Sequence, residues 1–256
     1  MALSYFICHG SPTLAVEDNE YTRFLRNLGE QTQKPKAIVI FTAHWENQVL
    51  SITDSDDIYE TIYDFGGFPE ELYSVKYPAK GSRKTASMLQ EMFQRQGIPV
   101  RKDAKRGLDH GSWVVLRHMY PEEEVPVVQV SVNPYLSPEE QYKIGESIRD
   151  LGKEDILVIG SGATVHNLGT LAWGKETAEP WALEFDDWLI DKVQKRDLDS
   201  LFAYETLAPY ARRAVPRAEH FVPLFITLGS GNPELSPKLL HRSYNYGTLS
   251  HIGFQF

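Results

Sequence analysis

Two stretches constrain the fold most: "KAIVIFTA" at residues 36–43 and "DILVIG" at 155–160, each almost unbroken in apolar residues. A strand with one wet face alternates apolar and polar side chains; a continuous run suits a strand covered on both faces, as in an α/β sheet. Residues 3–8 and 125–132 ("VPVVQVSV") read as further strands, with a shorter one at 98–101 and a final edge strand at 249–254. Between them, apolar residues spaced three or four apart predict helices over 20–31, 81–96, 138–151, 180–194 and 221–228. "SPEEQYKIGESI" carries a clear start signal, with Ser137 as N-cap, Pro138 in the first turn and two glutamates behind it. Strands alternating with helices imply an α/β fold with a central, largely parallel or mixed sheet flanked by helices. Without repeats or an obvious linker, residues 1–256 read as a single catalytic domain. Two irregular stretches remain, the aromatic-rich 54–78 and 102–112. Long loops of this kind often form lids or site walls.

Histidines mark the ends of these elements. The sequence holds eight. His9 closes the first strand in "ICHGSP", His44 closes the second in "FTAHW", and His166 follows another strand in "GSGATVHN". His110 in "GLDHGSW" stands just before a helix, and His220 in "AEHFVPL" stands at a helix start. Ligands of open α/β sheets bind outside the carboxyl ends of the strands. A histidine that ends a buried strand is therefore placed to face a shared site at that edge. Alternation then turns Cys8 the other way, as a small buried hydrophobe.

Imidazole suits zinc, iron, copper and nickel. The spacings, 35 residues from His9 to His44 and 176 from His44 to His220, are long-range, with no HExxH and no CxxC. "GSGATVHN" lacks the lysine of a P-loop and is not GxGxxG; G-x-S-x-G is absent too, which argues against a Ser161 hydrolase. A net charge of −9 excludes a general nucleic-acid or anionic-membrane footprint. No apolar run approaches 18 residues, and the chain enters its first strand without a leader pattern. The single cysteine forms no intrachain disulfide. Together these predict a cytoplasmic protein.

Seven motifs in order, "HGSP", "TAHWE", "YDFGGFPEELYSVKYPAKG", "LDHGSW", "GSGATVHNL", "FDDWL" and "AEHFVPL", resemble the class III extradiol ring-cleavage dioxygenases, and within them the DODA-type (4,5-DOPA extradiol dioxygenase-like) branch. The resemblance spans essentially the whole chain. It implies a non-haem Fe(II) site that tolerates Zn(II), with His9, His44 and His220 as metal ligands and His166 as the acid/base. It makes His110 a second polar site residue, a hydrogen-bond donor to substrate or bound oxygen. Many superfamily members use a glutamate as third ligand, and Glu219 precedes His220, so Glu219 is the rival for that place. The implied reaction cleaves the ring of a catechol-type, DOPA-like aromatic with O2 to a muconic semialdehyde. The chemistry suits the residue types. Three protein ligands on an octahedral ion leave two positions for the catechol oxygens and one for O2. A histidine of ordinary pKa can take the catechol proton. A zinc-dependent hydrolase and a non-catalytic metal- or ligand-binding module are the alternatives. The presence of His166 and His110 beside the three ligand candidates argues against a pure binder.

The remaining aromatic and polar residues are read as follows. Phe65, Phe68 and Tyr73 form either a satellite cluster or a wall for a flat ring. Trp45 is core or supports His44; Trp173, Trp181 and Trp188 pack helices. His118 is surface or packing; His241 and His251 are structural, with Tyr246 near the site. Asp186 and Asp187 form a solvated or capping pair.

Overall fold

The computed structural model describes residues 4–175 and 177–256. Its strands are β1 (Ser4–Cys8), β2 (Ala37–Glu46), β3 (Leu50–Thr53), β4 (Val100–Asp103), β5 (Val127–Val132), β6 (Ile156–Gly162), β7 (Lys238–Asn245) and β8 (Leu249–Gln255), joined in one sheet in the order β4-β3-β5-β2-β6-β1-β8-β7. The four central strands, β5, β2, β6 and β1, are parallel. β8 joins β1 antiparallel and carries antiparallel β7, while β3 joins β5 antiparallel and carries parallel β4. The sheet is therefore mixed, with a parallel centre and antiparallel additions on both sides. The first strand's predicted start at Leu3 lies outside the described residues.

The helices are α1 (Glu20–Gln31), α2 (Arg83–Arg95), α3 (His110–Met119), α4 (Pro138–Ser147), α5 (Pro180–Gln194), the short α6 (Leu198–Phe202), α7 (Tyr204–Leu207) and α8 (Ala211–Ala214), and α9 (Val222–Ser230). None is long and apolar enough to cross a membrane. The continuous apolar runs are explained by what covers the sheet. Ile38 and Ile40 pack with Leu25 of α1 and Trp113 and Leu116 of α3. Val39 and Phe41, one residue out of phase, pack on the other face with Leu89 of α2, Ile144 of α4 and Ile226 of α9. Ser137 and Glu140 form the capping box that begins α4. That helix stops at Ser147, short of the predicted 151, because the chain tightens into a 3-10 turn over Arg149–Glu154.

Two strands escape the apolar pattern. β3 is only four residues long. β7 is a half-buried edge strand carrying His241, Arg242, Ser243 and Asn245, so it presents no apolar run; because it pairs outside β8, residues 249–254 are not the edge strand the sequence suggested.

β6 and α9 approach unusually closely, and glycine permits it. A Cβ on Gly160 would lie 2.6 Å from the Pro223 carbonyl oxygen, and one on Gly162 would lie 2.1 Å from the His220 carbonyl oxygen. The same His220 carbonyl accepts from the Ala163 N–H at 2.8 Å. The glycines of "GSGATVHN" thus bring the start of α9, and His220 with it, against the end of β6. Gly162→Ala is expected to lower unfolding stability by about 1–3 kcal/mol through overpacking and to displace His220. Gly66→Ala, where a Cβ meets nothing within 4 Å, is expected to be nearly neutral. Thermal denaturation of the two variants checks this; equal melting temperatures would contradict it.

Candidate metal centre

Five histidines meet at the carboxyl edge of the parallel strands. His9 follows β1, its N–H donating to the Gly162 carbonyl at 3.2 Å. His44 lies inside β2, where the register with β5 shifts between Phe41 and Glu46; such an irregularity re-aims a side chain. His220 precedes α9, fixed by the glycine contact just described. His166 lies beyond β6, its backbone N–H donating to the Ala214 carbonyl at 3.0 Å. His110 is the first residue of α3, after Asp109, whose side chain caps the helix by accepting from the Ser112 N–H at 3.2 Å.

His9, His44 and His220 form a nearly equilateral triangle, with ring centroids 4.8, 4.9 and 5.1 Å apart. Their Nε2 atoms face inward: His44 Nε2 is 3.0 Å from that of His9 and 3.3 Å from that of His220. The protons on these rings follow from what stands behind them. The Ser161 hydroxyl donates to the Gly111 carbonyl, so it accepts from His9 Nδ1 at 2.9 Å. Glu219 Oε1 accepts from His220 Nδ1 at 3.0 Å. Asp64 Oδ2 stands 3.2 Å from His44 Nδ1. Each Nδ1 therefore carries the hydrogen, and each Nε2 presents a lone pair to the common centre.

Three lone pairs at such separations repel unless a cation lies between them. Nitrogen ligands about 2.1 Å from one ion lie about 3.0 Å apart at right angles and about 3.4 Å apart at the tetrahedral angle. The two spacings from His44 fit neighbouring ligands of one ion; ligand atoms of His9, His44 and His110, and of His166, Glu219 and His220, also lie within 4.8 Å of one another. Glu219 stands behind the His220 ring, where a carboxylate orients a ligand. Its outer oxygen lies 3.5 Å from Arg217 Nε, and Arg217 also donates to Glu46.

His166 and His110 flank the triangle. The His166 ring stacks on His220 at 3.5 Å with 10° between planes. His110 lies 3.9 Å from His44 and 5.4 Å from His9 between ring centroids. Burial lowers the pKa of His9, His220 and His110, with neighbouring histidines pushing the same way. His166 falls to about 4 by burial and the proximity of His44 and His110. These rings are neutral at neutral pH, the state that binds metal or accepts a proton. Asp64 Oδ1 accepts from both the backbone N–H and Nδ1 of His110, each at 2.9 Å. Burial alone would raise the Asp64 carboxyl, but hydrogen bonds from His110 and His44 hold it well below the usual carboxylate range.

The aromatic stretch forms a cluster of its own that reaches the site. Phe65 meets His110 edge-on at 5.6 Å, and it also packs with Phe68, Tyr73 and Trp113 into the core on that side. Trp45 is buried under the Arg106 guanidinium at 4.6 Å, and Arg106 pairs with Asp109 at 2.9 Å. Cys8 is buried. His118 is a buried packing residue whose ring meets the Leu14 carbonyl at 2.7 Å. His251 stacks on Tyr21, His241 stacks on Phe24 and tilts against Tyr21, and Tyr246 packs on Trp173.

Two expectations need correction. Trp173 packs no helix; it is 71% exposed in the loop after His166. Asp186 and Asp187 are not a solvated or capping pair: only Asp187 is exposed, paired to Arg242. Asp186 is fully buried and accepts from Thr164, Tyr244 and Ser250 at 2.8, 2.7 and 2.6 Å. It ties the segment leading to His166 to the β7–β8 hairpin. Sequence reasoning passed over Asp64 and undervalued Ser161. The available signal was an acid set between two aromatic residues in "YDF", and a hydroxyl between two glycines at a strand end.

A mixed α/β sheet with a cluster of histidines at its carboxyl edge is a candidate metal centre. Residues 3–256 match the family described as the catalytic LigB subunit of aromatic ring-opening dioxygenase. The chain is 38% identical to a 4,5-DOPA dioxygenase extradiol of Beta vulgaris, over 99% of this chain and 96% of that one. It is 34% identical to a protein of the same name from Escherichia coli (strain K12), over 98% and 93%. A crystal structure of an uncharacterized protein from Escherichia coli K12 superposes with a TM-score of 0.84 and 30% identity, covering both chains completely. The chain belongs to the LigB family and is an extradiol ring-cleavage dioxygenase, an oxidoreductase that incorporates both atoms of O2 into an aromatic substrate.

Asp186→Ala is expected to lower unfolding stability by about 1–3 kcal/mol by stranding buried hydroxyls. Burial raises the Asp186 pKa in the fold, so its contribution is fullest at low pH and weakens as pH rises past the ordinary carboxylate range. Urea unfolding of wild type and variant at about pH 4.5 and about pH 7.5 should show the larger gap at the lower pH. An equal gap would contradict the assignment.

Proposed function

We propose that this enzyme uses Fe(II) held by His9, His44 and His220 to open the ring of a DOPA-like catechol with O2, yielding a muconic semialdehyde. The observation that supports the reading is the approach of His44 Nε2 to those of His9 and His220, at 3.0 and 3.3 Å, beside two further histidines that are not needed as ligands. The relatives named for 4,5-DOPA support the substrate class. Fe(II), when bound there, supplies the path for electrons between a catecholate and O2 that Zn(II), without redox chemistry, cannot.

The chain's own residues then have separate tasks. Three neutral imidazoles add no charge, so the metal's positive charge favours a catecholate over a catechol. His166 takes the catechol proton on a ring nitrogen and returns it to the departing oxygen. With its Nδ1–H held by Asp64, His110 presents an Nε2 lone pair and accepts a hydrogen bond from a substrate hydroxyl. This refines the donor role expected for it: a neutral His110 ring has no second hydrogen to give. Phe65, edge-on to His110, offers a face for the substrate ring.

Nitrogen sites bind zinc more tightly than Fe(II). Protein purified in air is therefore expected to carry zinc and to gain catechol-dependent oxygen uptake only after anaerobic Fe(II) loading. Turnover by an iron-free zinc form would contradict the redox assignment. His166→Gln is expected to keep its metal and lose about 10²–10⁴-fold in turnover, whereas His9→Ala should lose metal affinity. Elemental analysis paired with oxygen uptake checks both. A His166 variant that lost its iron would make His166 a ligand.

A further inference from the structure

Asp64 touches two rings that have different tasks. Its Oδ1 receives both the backbone N–H and Nδ1 of His110, at 2.9 Å each, and its Oδ2 stands 3.2 Å from His44 Nδ1. His9 and His220 each have a private partner, Ser161 and Glu219. His44 and His110 share one. The geometry points to Asp64 as a positioning residue that fixes the proton of both rings on Nδ1, so that His44 Nε2 is free for the metal and His110 Nε2 is free for the substrate. The inference rests on reading His44 as a metal ligand and His110 as a substrate-facing residue.

The reasoning is one of donors and acceptors. An ionised carboxylate has only acceptors, so an imidazole nitrogen pointed at it must bear hydrogen. Without that demand, a neutral imidazole can place its proton on either nitrogen. A proton on His44 Nε2 would point at the centre, 3.0 and 3.3 Å from the other two Nε2 atoms, and would block the ion. Asp64 also belongs to the loop that carries Phe65, which packs on His110. One side chain therefore joins the aromatic loop, a metal ligand and a substrate-facing histidine.

Asp64→Asn separates the two halves of the role. The amide has one acceptor oxygen and one NH2 group. His110 offers two donors, backbone and ring, so the oxygen turns toward His110. The NH2 group then faces His44 Nδ1, which can pair with it only by giving up its hydrogen. The variant should move the His44 proton to Nε2 and leave His110 unchanged. Loss of a partner behind a ligand histidine typically costs about 10–100-fold in metal affinity.

Long-range 15N–1H NMR of the metal-free, histidine-labelled protein reads the tautomers directly. In wild type, His44 and His110 should both be Nδ1–H; in Asp64→Asn, His44 should switch and His110 should not. Zinc affinity, measured by chelator competition, should fall about 10–100-fold in the variant with the circular-dichroism spectrum kept. A wild-type His44 or His110 protonated on Nε2 would overturn the inference, whether or not the variant folds. So would an Asn variant that keeps the wild-type tautomers and zinc affinity. Wild-type protein with the expected tautomers but no zinc binding would instead overturn the metal reading of the site.

Discussion

Three imidazole lone pairs face one another in this protein, and the local structure is arranged to keep them there. Such a group is repulsive in itself and becomes favourable only around a cation. Each ring is fixed from behind: a serine hydroxyl anchored on Gly111, a carboxylate shared with His110, and a carboxylate from the preceding residue. The acceptors differ in kind but impose the same tautomer.

The fold supplies the convergence from three independent directions. β1 ends at His9, an irregular end of β2 turns His44, and the start of α9 brings His220 in from the other side of the sheet. The last of these depends on backbone meeting backbone, since Gly162 has no room for a Cβ against the His220 carbonyl. α3 brings His110 in, with its cap residue Asp109 also accepting from Thr42 on β2 and from Arg106. Stability and function meet in these contacts: the groups that close the core at the carboxyl edge are those that place the rings.

Much of this was legible in the sequence because it depends on local pattern. Apolar runs, two of them almost unbroken, gave the four central strands, and Ser137 with Glu140 gave the start of α4. Histidines at element ends gave the five residues that now stand together. What escaped depends on partners far away in the chain. β7 is polar, and only its pairing with β8 makes it a strand. Asp186 looks like one of two surface acids until hydroxyls from Thr164, Tyr244 and Ser250 close over it. Trp173 looks like helix packing because tryptophan usually buries, yet it lies on an exposed loop. Asp64 lies 20 residues after His44 in the chain, too far for any helical or strand periodicity to connect them. The choice between Glu219 and His220 was likewise open in sequence, because adjacent residues differ there only in which way each side chain turns.

The central claim is that His9, His44 and His220 bind one ion through Nε2. X-ray absorption spectroscopy of the Fe(II)-loaded protein, with metal stoichiometry measured on the same sample, tests it most directly. The account expects one iron per chain and an inner shell containing three imidazole nitrogens about 2.0–2.2 Å from the metal. Substoichiometric binding, or a shell with fewer than three imidazoles, would contradict it.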